Sequence, residues 1–243
     1  MGLIKFNGST DYLKWASLAT ALQNVSSGAM TFLAGVKHNS LTNEQGYVNL
    51  LSSTGAGIAK AGLSKAPTTD HVYSNAGGGI QDFTTLSMAN AQDTLVVMSK
   101  ATGNVVANAS KKVGPSGSWA HGPSDIPRGN QSSSVQLQIG TWRLDPLAML
   151  NGWLAVVAIW GVALTEAQRE ACGLNWKTSD ILTAHPTVKP VFLMEFNVPK
   201  AAVTNLGTAT IGTFTSVGTT FDAAETFSDW NFDGYGAQLL NFC

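Results

Sequence analysis

The sequence predicts an all-β protein: an antiparallel two-sheet sandwich with one short helix and a C-terminal extension. Three observations support this prediction. Short segments with alternating apolar and polar residues recur along the first ~175 positions. Glycine, proline and asparagine turns separate them, as in sandwiches and barrels. One clear helix signal interrupts the strands, so an arrangement of alternating strands and helices is not indicated.

The longest apolar run covers residues 153–160 and reads WLAVVAIW. Its length fits a strand and is too short to span a membrane. Its valines, isoleucine and tryptophans also favour a strand. After Gly161, Thr165 and Gln168 form the spacing of a capping box, which predicts the start of the short helix. Gly173 is the expected stop.

The remaining strands follow from turn signals and from alternation. Asn7-Gly8 is a strong turn dipeptide between two strand-like pieces in residues 3–15. Further strands are predicted at residues 28–37, 47–51, 93–100, 105–110, 135–141 and 191–197. Period-two alternation predicts that two of these segments turn apolar rows inward: Met30, Phe32, Ala34 and Val36, and Val135, Leu137 and Ile139.

Two motifs resemble those that open and close laminin-G-like domains of the concanavalin A-like group. The opening motif matches at Phe6, Gly8, Asp11, Tyr12 and Leu13, and the closing motif at Gly152, Leu154, Val157, Ile159, Trp160, Ala163, Leu164 and Thr165. The resemblance implies a jelly-roll sandwich over residues 1–175, with the N-terminal strand beside residues 153–160. The family often carries acidic residues where this chain has Ala155 and Val156.

Residues 176–243 form an extension beyond the usual end of such domains. A jelly roll, then Pro-x-x-Leu-x-Glu-Phe-Asn, then a Gly/Thr-rich tail resembles minor tail proteins of actinobacterial tailed phages. The matching residues are Leu193, Glu195, Phe196 and Asn197, and then Gly218, Thr219 and Thr220. The resemblance implies a non-enzymatic virion component that is assembled in the host cytoplasm and contacts other tail proteins in an oligomer. Host cell-wall polysaccharide is a further expected partner, and a carbohydrate-binding module or a capsid decoration protein is the alternative. We expect the extension to lie on the surface of this or a neighbouring subunit, because it has few large apolar residues besides the strand at 191–197.

Composition restricts the partners further. Net charge is −1, which indicates neither nucleic acid nor an anionic membrane as a partner. Charged residues make up 12%, about half the ~25% typical of soluble domains. Such a surface fits either an assembly or an exterior rich in serine, threonine and glycine. The start MGLIKFNG does not read as a signal peptide, and nothing supports a disulfide between Cys172 and Cys243.

The sequence gives no support for catalysis, a cofactor or a resident metal. Glycanases of the concanavalin A-like group need a close carboxylate pair, and no glutamate of this chain lies in the strand motif that supplies one. The pattern Asp229-x-Asn231-x-Asp233-Gly234 resembles half a calcium loop, but Leu240 stands where the closing acid belongs. A plain turn is therefore favoured there.

Two sets of residues are candidates for binding. Residues 110–134 are rich in glycine, proline and serine, which predicts a long loop of the kind that often carries function. Its candidate glycan-binding residues are Trp119, His121, Asp125, Arg128 and Asn130, although Trp119 also fits a role in anchoring its own loop. Residues 153–160 are apolar on both faces, so the extension or another subunit must cover the second face, and another virion protein is slightly favoured. The candidate interface residues are Trp153, Val157, Ile159 and Trp160.

Overall fold

The computed structural model describes residues 2–51, 59–66, 69–76, 80–134, 136–141, 148–197, 205–209 and 214–233. Within these residues, fifteen strands form two antiparallel sheets, joined by three short helices and a 3₁₀ turn. The predicted all-β, two-sheet sandwich is confirmed. The sequence indicated one helix, and the structure adds two more short ones.

Sheet I has eight strands among the described residues: β1 (Leu3–Asn7), β3 (Met30–His38), β8 (Thr94–Lys100), β9 (Asn108–Val113), β10 (Ala120–Pro123), β12 (Asn151–Trp160), β13 (Phe192–Glu195) and β15 (Thr220–Asp222). Their order is β10-β9-β8-β3-β12-β1-β15, and β13 also pairs with β12. Ile4 pairs with Leu154, so the predicted position of the N-terminal strand beside residues 153–160 is confirmed.

Sheet II has seven strands in the described part of the chain: β2 (Tyr12–Trp15), β4 (Gln45–Leu51), β5 (Ala59–Lys65), β6 (His71–Ala76), β7 (Ile80–Ser87), β11 (Gln136–Ile139) and β14 (Thr215–Val217). Their order is β14-β2-β11-β4-β5-β6-β7. Strands β14 and β15 follow one another in the chain but end different sheets. The segment that contains them therefore links the two sheets along one side of the sandwich.

The helices are α1 (Thr20–Gln23), α2 (Glu166–Ala171) and α3 (Thr178–Thr183), and the 3₁₀ turn is Val25–Ser27. Helix α2 is the helix predicted from sequence. Its capping box is present, because the Thr165 hydroxyl accepts from the Gln168 amide at 3.3 Å, and the Gln168 side chain accepts from the Thr165 amide at 2.9 Å. Two of the helix's first free N–H groups are thereby satisfied.

The main core lies between the sheets and has aromatic side chains from both, among them Phe6, Trp15, Phe32 and Tyr47. The alternation predicted for β3 is confirmed, since four of its side chains enter this core: Met30, Phe32, Ala34 and Val36. Leu137 and Ile139 also point inward as predicted, whereas Val135 lies outside the described residues.

Strand β12 does not follow the simple alternation that the sequence suggested. Its register against β3 shifts between Leu154 and Val156, where a β-bulge adds a residue. As a result, Leu154, Val157 and Ile159 point into the main core. Trp153 and Trp160 both lie on the opposite, outer face. The bulge thus places both tryptophans on one face, whereas strict alternation put them on different faces.

The chain itself covers the outer face of sheet I. Side chains of α2, α3 and the C-terminal segment pack there in a second core with Trp160, and Trp176 is its central ring. Trp176 stacks on Phe227 with ring centroids 5.5 Å apart and meets the edge of Trp230 at 5.2 Å. All four candidate interface residues are buried within this one chain: Trp153, Val157, Ile159 and Trp160. The expectation that another subunit covers this face is therefore wrong.

The described residues after 175 are joined closely to both sheets. Phe192, Met194 and Phe196 are fully buried in the main core, so the expectation that this strand lies on the surface is wrong. The C-terminal segment is also held by polar contacts: the Trp153 indole donates to Asp222 at 3.2 Å, and Lys37 pairs with Glu225 at 2.5 Å. The predicted domain boundary at residue 175 stays a prediction.

Candidate functional site

Residues 110–134 were expected to be a long loop, but they contain the end of β9 and all of β10. These strands form an antiparallel hairpin in which His121 lies opposite Ser110. Strand β10 is an edge strand of sheet I, so its side chains lie at an edge of the sandwich. Helix α2 packs on β9, and its glutamates therefore approach His121 from the neighbouring element.

A chain of hydrogen bonds fixes the orientation of His121. Arg169 Nε can only donate, and it lies 2.8 Å from Ser110 Oγ. The Ser110 hydroxyl is 2.9 Å from His121 Nδ1 and can direct its own hydrogen there. His121 Nε2 then carries the ring proton and faces Glu170 Oε1 at 3.1 Å. We assign the Nε2–H tautomer from this network.

The buried end of the network is Arg169, which is only 5% exposed. Its guanidinium also donates to the Leu164 carbonyl at 3.0 Å and lies 3.9 Å from Glu166. Burial lowers the pKa of Arg169 from its ordinary value, and the charges of Glu166 and Glu170 oppose that shift. Arg169 thus fixes the Ser110 hydroxyl, and Ser110 in turn orients His121. Buried hydrogen bonds of this kind keep the exposed side chains of a polar site in a defined geometry.

Trp119 lies close to Gly173, which follows α2. It stands two residues before His121 and directly precedes β10. Its ring packs partly on the outer core and approaches Gly173, where an added Cβ would meet the ring at 3.3 Å. Among the described residues, no hydrogen bond involves the Trp119 indole nitrogen. We call Trp119, His121, Glu166 and Glu170 the His121 patch.

The order Ser110, His121, Glu170 is similar to that of a nucleophile, its base and an orienting acid. However, Ser110 is fully buried, and Arg169 already donates to its oxygen. A substrate carbonyl therefore has no path to Ser110 in this arrangement. The geometry suits positioning of the exposed groups better than attack on a substrate.

The other three predicted glycan-binding residues have structural contacts elsewhere. Asp125 accepts from the amides of Asp82 and Ile126 at 3.2 and 2.9 Å. Asn130 accepts from Lys100 Nζ at 2.8 Å and donates to the Gly28 carbonyl at 2.7 Å.

Arg128 forms an isolated β-bridge with Val105. None of these contacts of Asp125, Arg128 and Asn130 involves α2. The structure thus places Trp119 near Gly173, just after α2, and places Glu166 and Glu170 of α2 beside His121. Glu166 and Glu170 were not among the candidates from sequence, and their spacing of four residues on a short helix was the available signal.

No group of three metal-ligating side chains is assembled within the residues that the structure describes. In the proposed half calcium loop, Asp233 accepts from the Ser179 amide and hydroxyl, each at 2.7 Å, and so anchors the start of α3. Gly234 and Leu240 lie outside the described residues. Cys172 is buried, and Cys243 also lies outside them. No described helix is long and apolar enough to cross a membrane.

Comparison with known proteins supports the fold. No protein-family model matches the chain, and no curated protein matches it either. Among solved structures, the native heptameric SAP-like pentraxin from Limulus polyphemus is similar, with 12% identity over 93% of this chain and 97% of that chain and a TM-score of 0.54. At this identity the similarity shows the fold alone, which is a lectin-like jelly roll.

Two larger proteins share a weaker likeness. The Trypanosoma rangeli sialidase has 15% identity and a TM-score of 0.42 over 61% of this chain and 23% of that one. Tailspike protein 2 of Escherichia coli O157:H7 bacteriophage CAB120 has 12% identity and a TM-score of 0.45 over 76% of this chain and 25% of that one.

Proposed function

We propose that this protein is a non-enzymatic structural component of a tailed-phage virion, a minor tail protein whose lectin-like sandwich contacts glycan on the host cell wall. The observation that carries the glycan contact is the His121 patch. It combines an aromatic ring, an indole N–H without a hydrogen-bond partner among the described residues, and two carboxylates near the buried Arg169, and such a combination is typical of sites that orient a polar ligand. We place the protein in the virion and in contact with other tail proteins, and expect no nucleic acid or membrane as a partner.

The motif resemblance at both ends of the jelly roll and in the extension supports the virion assignment. The low proportion of charged residues, 12%, also fits a protein whose surface meets neighbours in an assembly. Both faces of sheet I are covered by this chain, so such neighbours must contact other surfaces. Leu174, 72% exposed after α2, is a large apolar side chain on one such surface.

Three features support a binding role over a catalytic one. No glutamate lies in the glycanase strand motif, and Glu166 and Glu170 lie on one short helix beside a histidine. Glu44 and Glu195 are buried among β-strands. Ser110 has the partners of a nucleophile but no exposed surface. We therefore expect binding of glycan without cleavage.

Co-sedimentation tests this proposal. The purified full chain is mixed with insoluble peptidoglycan and with whole cell-wall fragments, and the bound fraction is measured against a cross-linked dextran resin. We expect saturable binding to wall material and no release of reducing sugar. If the chain stays in the supernatant with every wall preparation, glycan contact is wrong. If it releases reducing sugar, the non-enzymatic assignment is wrong.

A further inference from the structure

We infer that the His121 patch selects sugars that carry hydrogen-bond donors and positive charge, such as glucosamine-type residues with free amines, and rejects acidic sugars. This inference rests on the proposed glycan contact. The patch has many hydrogen-bond acceptors and few donors that its own side chains leave unused, and this difference determines the chemical class of glycan that it accepts.

The carboxylates of the patch have most of this open capacity. Glu170 Oε1 lies 3.1 Å from His121 Nε2 as an ion pair, and no hydrogen bond to the Glu170 side chain is present among the described residues. Glu166 accepts none within the described part of the chain, because its nearest partners, Arg169 and His121, are both 3.9 Å away. An ionised carboxylate offers about four acceptor positions. These two exposed groups therefore have acceptor positions open to the hydroxyl or ammonium donors of a ligand.

The donors of the patch are almost all used inside the protein. His121 Nε2 lies 3.1 Å from Glu170 Oε1, and its Nδ1 faces the Ser110 hydroxyl at 2.9 Å. Only the Trp119 indole N–H has no partner among the described residues. A ligand at the patch thus meets many acceptors and one donor, and this imbalance favours a donor-rich sugar over a carboxylate- or sulfate-bearing one.

The charges point in the same direction. Glu166 and Glu170 are 62% and 44% exposed, so solvent and ligand meet two negative groups. The neighbouring cations are buried and directed at backbone oxygens. Arg169 donates to Leu164 O, and Lys112 donates to Gly173 O at 2.9 Å. An acidic sugar would therefore meet like charges, and within the described part of the chain no exposed lysine or arginine pairs with these carboxylates to balance them.

Binding of matched oligosaccharides to the full chain, followed by isothermal titration calorimetry, tests this inference. The probes are a chitosan oligomer with free amines, a chitin oligomer of equal length with acetylated amines, and an oligogalacturonate. We expect the chitosan oligomer to bind at least threefold more tightly than the chitin oligomer at low salt. The difference should shrink as salt screens the carboxylates. The oligogalacturonate should bind at least tenfold more weakly than the chitin oligomer.

Two variants locate the site. Glu170→Gln keeps an oxygen for His121 but removes one of the two charges, and should at least halve the preference for free amines. Trp119→Ala should weaken all sugars at least tenfold. Asp70→Asn is the matched control, because Asp70 is exposed between strands of sheet II and the same charge is lost. Its binding should equal that of the unmodified chain.

The outcomes separate the two claims. If the unmodified chain binds wall glycan but the galacturonate binds as well as the chitosan, the inferred selectivity is wrong and the proposed function stands. The inferred selectivity is also wrong, and the proposed function stands, if Glu170→Gln and Trp119→Ala bind all the oligomers as the unmodified chain does. If the unmodified chain binds neither the oligomers nor wall material, the proposed glycan contact is wrong, and the inference with it.

Discussion

Replacement of Trp176 by alanine tests whether the C-terminal segment is an integral layer of the sandwich. Trp176 is 2% exposed, and its indole N–H donates to the Ser228 carbonyl at 2.8 Å. Its ring contacts both Phe227 and Trp230. Removal of a buried tryptophan ring costs about 3–5 kcal/mol of folding free energy. For a chain of this length each kcal/mol lowers Tm by about 2–4 °C, so Tm should fall by about 6–20 °C.

The assay is thermal unfolding followed by circular dichroism, combined with limited proteolysis of residues 214–233. Alanine keeps the Cβ of Trp176 and its positive φ of 56°, so the backbone strain is similar in both proteins. Leu174→Ala is the control, because Leu174 is 72% exposed and should change stability by less than about 0.5 kcal/mol. If Trp176→Ala unfolds within about 2 °C of the unmodified chain and resists protease equally, the segment does not stabilise this face.

Three further predictions concern other parts of the molecule. Burial lowers the pKa of His38 from 6.5 to about 4, while Gln45 raises it and Lys65 lowers it, so the unfolded chain binds more protons between these pH values. Stability should therefore fall by about 1.4 kcal/mol per pH unit from pH 6.5 towards 4, and urea titrations of His38→Gln should show a flatter dependence. Gly152→Ala should lower the free energy of unfolding by more than about 1 kcal/mol in the same titrations, because φ is 156° and the added Cβ would clash with the Lys37 carbonyl oxygen. Gly161→Ala is the control. Its added Cβ would have no neighbouring atom within 4 Å, so the change should be near neutral or stabilising. Prolonged incubation with β-glucan or peptidoglycan should release no reducing sugar above the blank, and release above the blank would contradict the non-enzymatic proposal.

Local patterns predicted many of the strands. The alternation of Met30, Phe32, Ala34 and Val36 was sufficient, because a strand with one face in the core has a strict period of two. The capping box of Thr165 was equally clear, since it depends only on residues within one turn. The pairing of the N-terminal strand with residues 153–160 came from the family resemblance.

Features that depend on distant contacts were missed. A β-bulge at Ala155 has no signature in a uniformly apolar run, so the faces of β12 were assigned incorrectly. The strand Phe192–Glu195 enters the main core because β12 has a free edge beyond the short β1, which the sequence does not reveal. Residues 120–123 were predicted as loop because their glycine and proline oppose a strand, yet pairing with β9 overrides that preference.

The candidate site was only partly predictable for the same reason. Trp119 and His121 are two residues apart in one predicted loop, so they could be proposed together. Glu166 and Glu170 reach His121 only because α2, some fifty residues after β9 in the chain, packs back on that strand. Asp125 and Asn130 had the right chemistry, but their hydrogen-bonding capacity serves the protein's own backbone.

The central claim is that this protein is a virion component of a tailed phage. Immunogold labelling with antibodies to the purified chain, applied to intact virions of the phage that encodes it, tests that claim most directly. The account predicts gold particles at the tail, together with peptides of this chain in the mass spectrum of purified virions. Unlabelled virions whose proteins include no peptide of this chain would contradict the claim, and labelling confined to the capsid would favour a decoration protein instead.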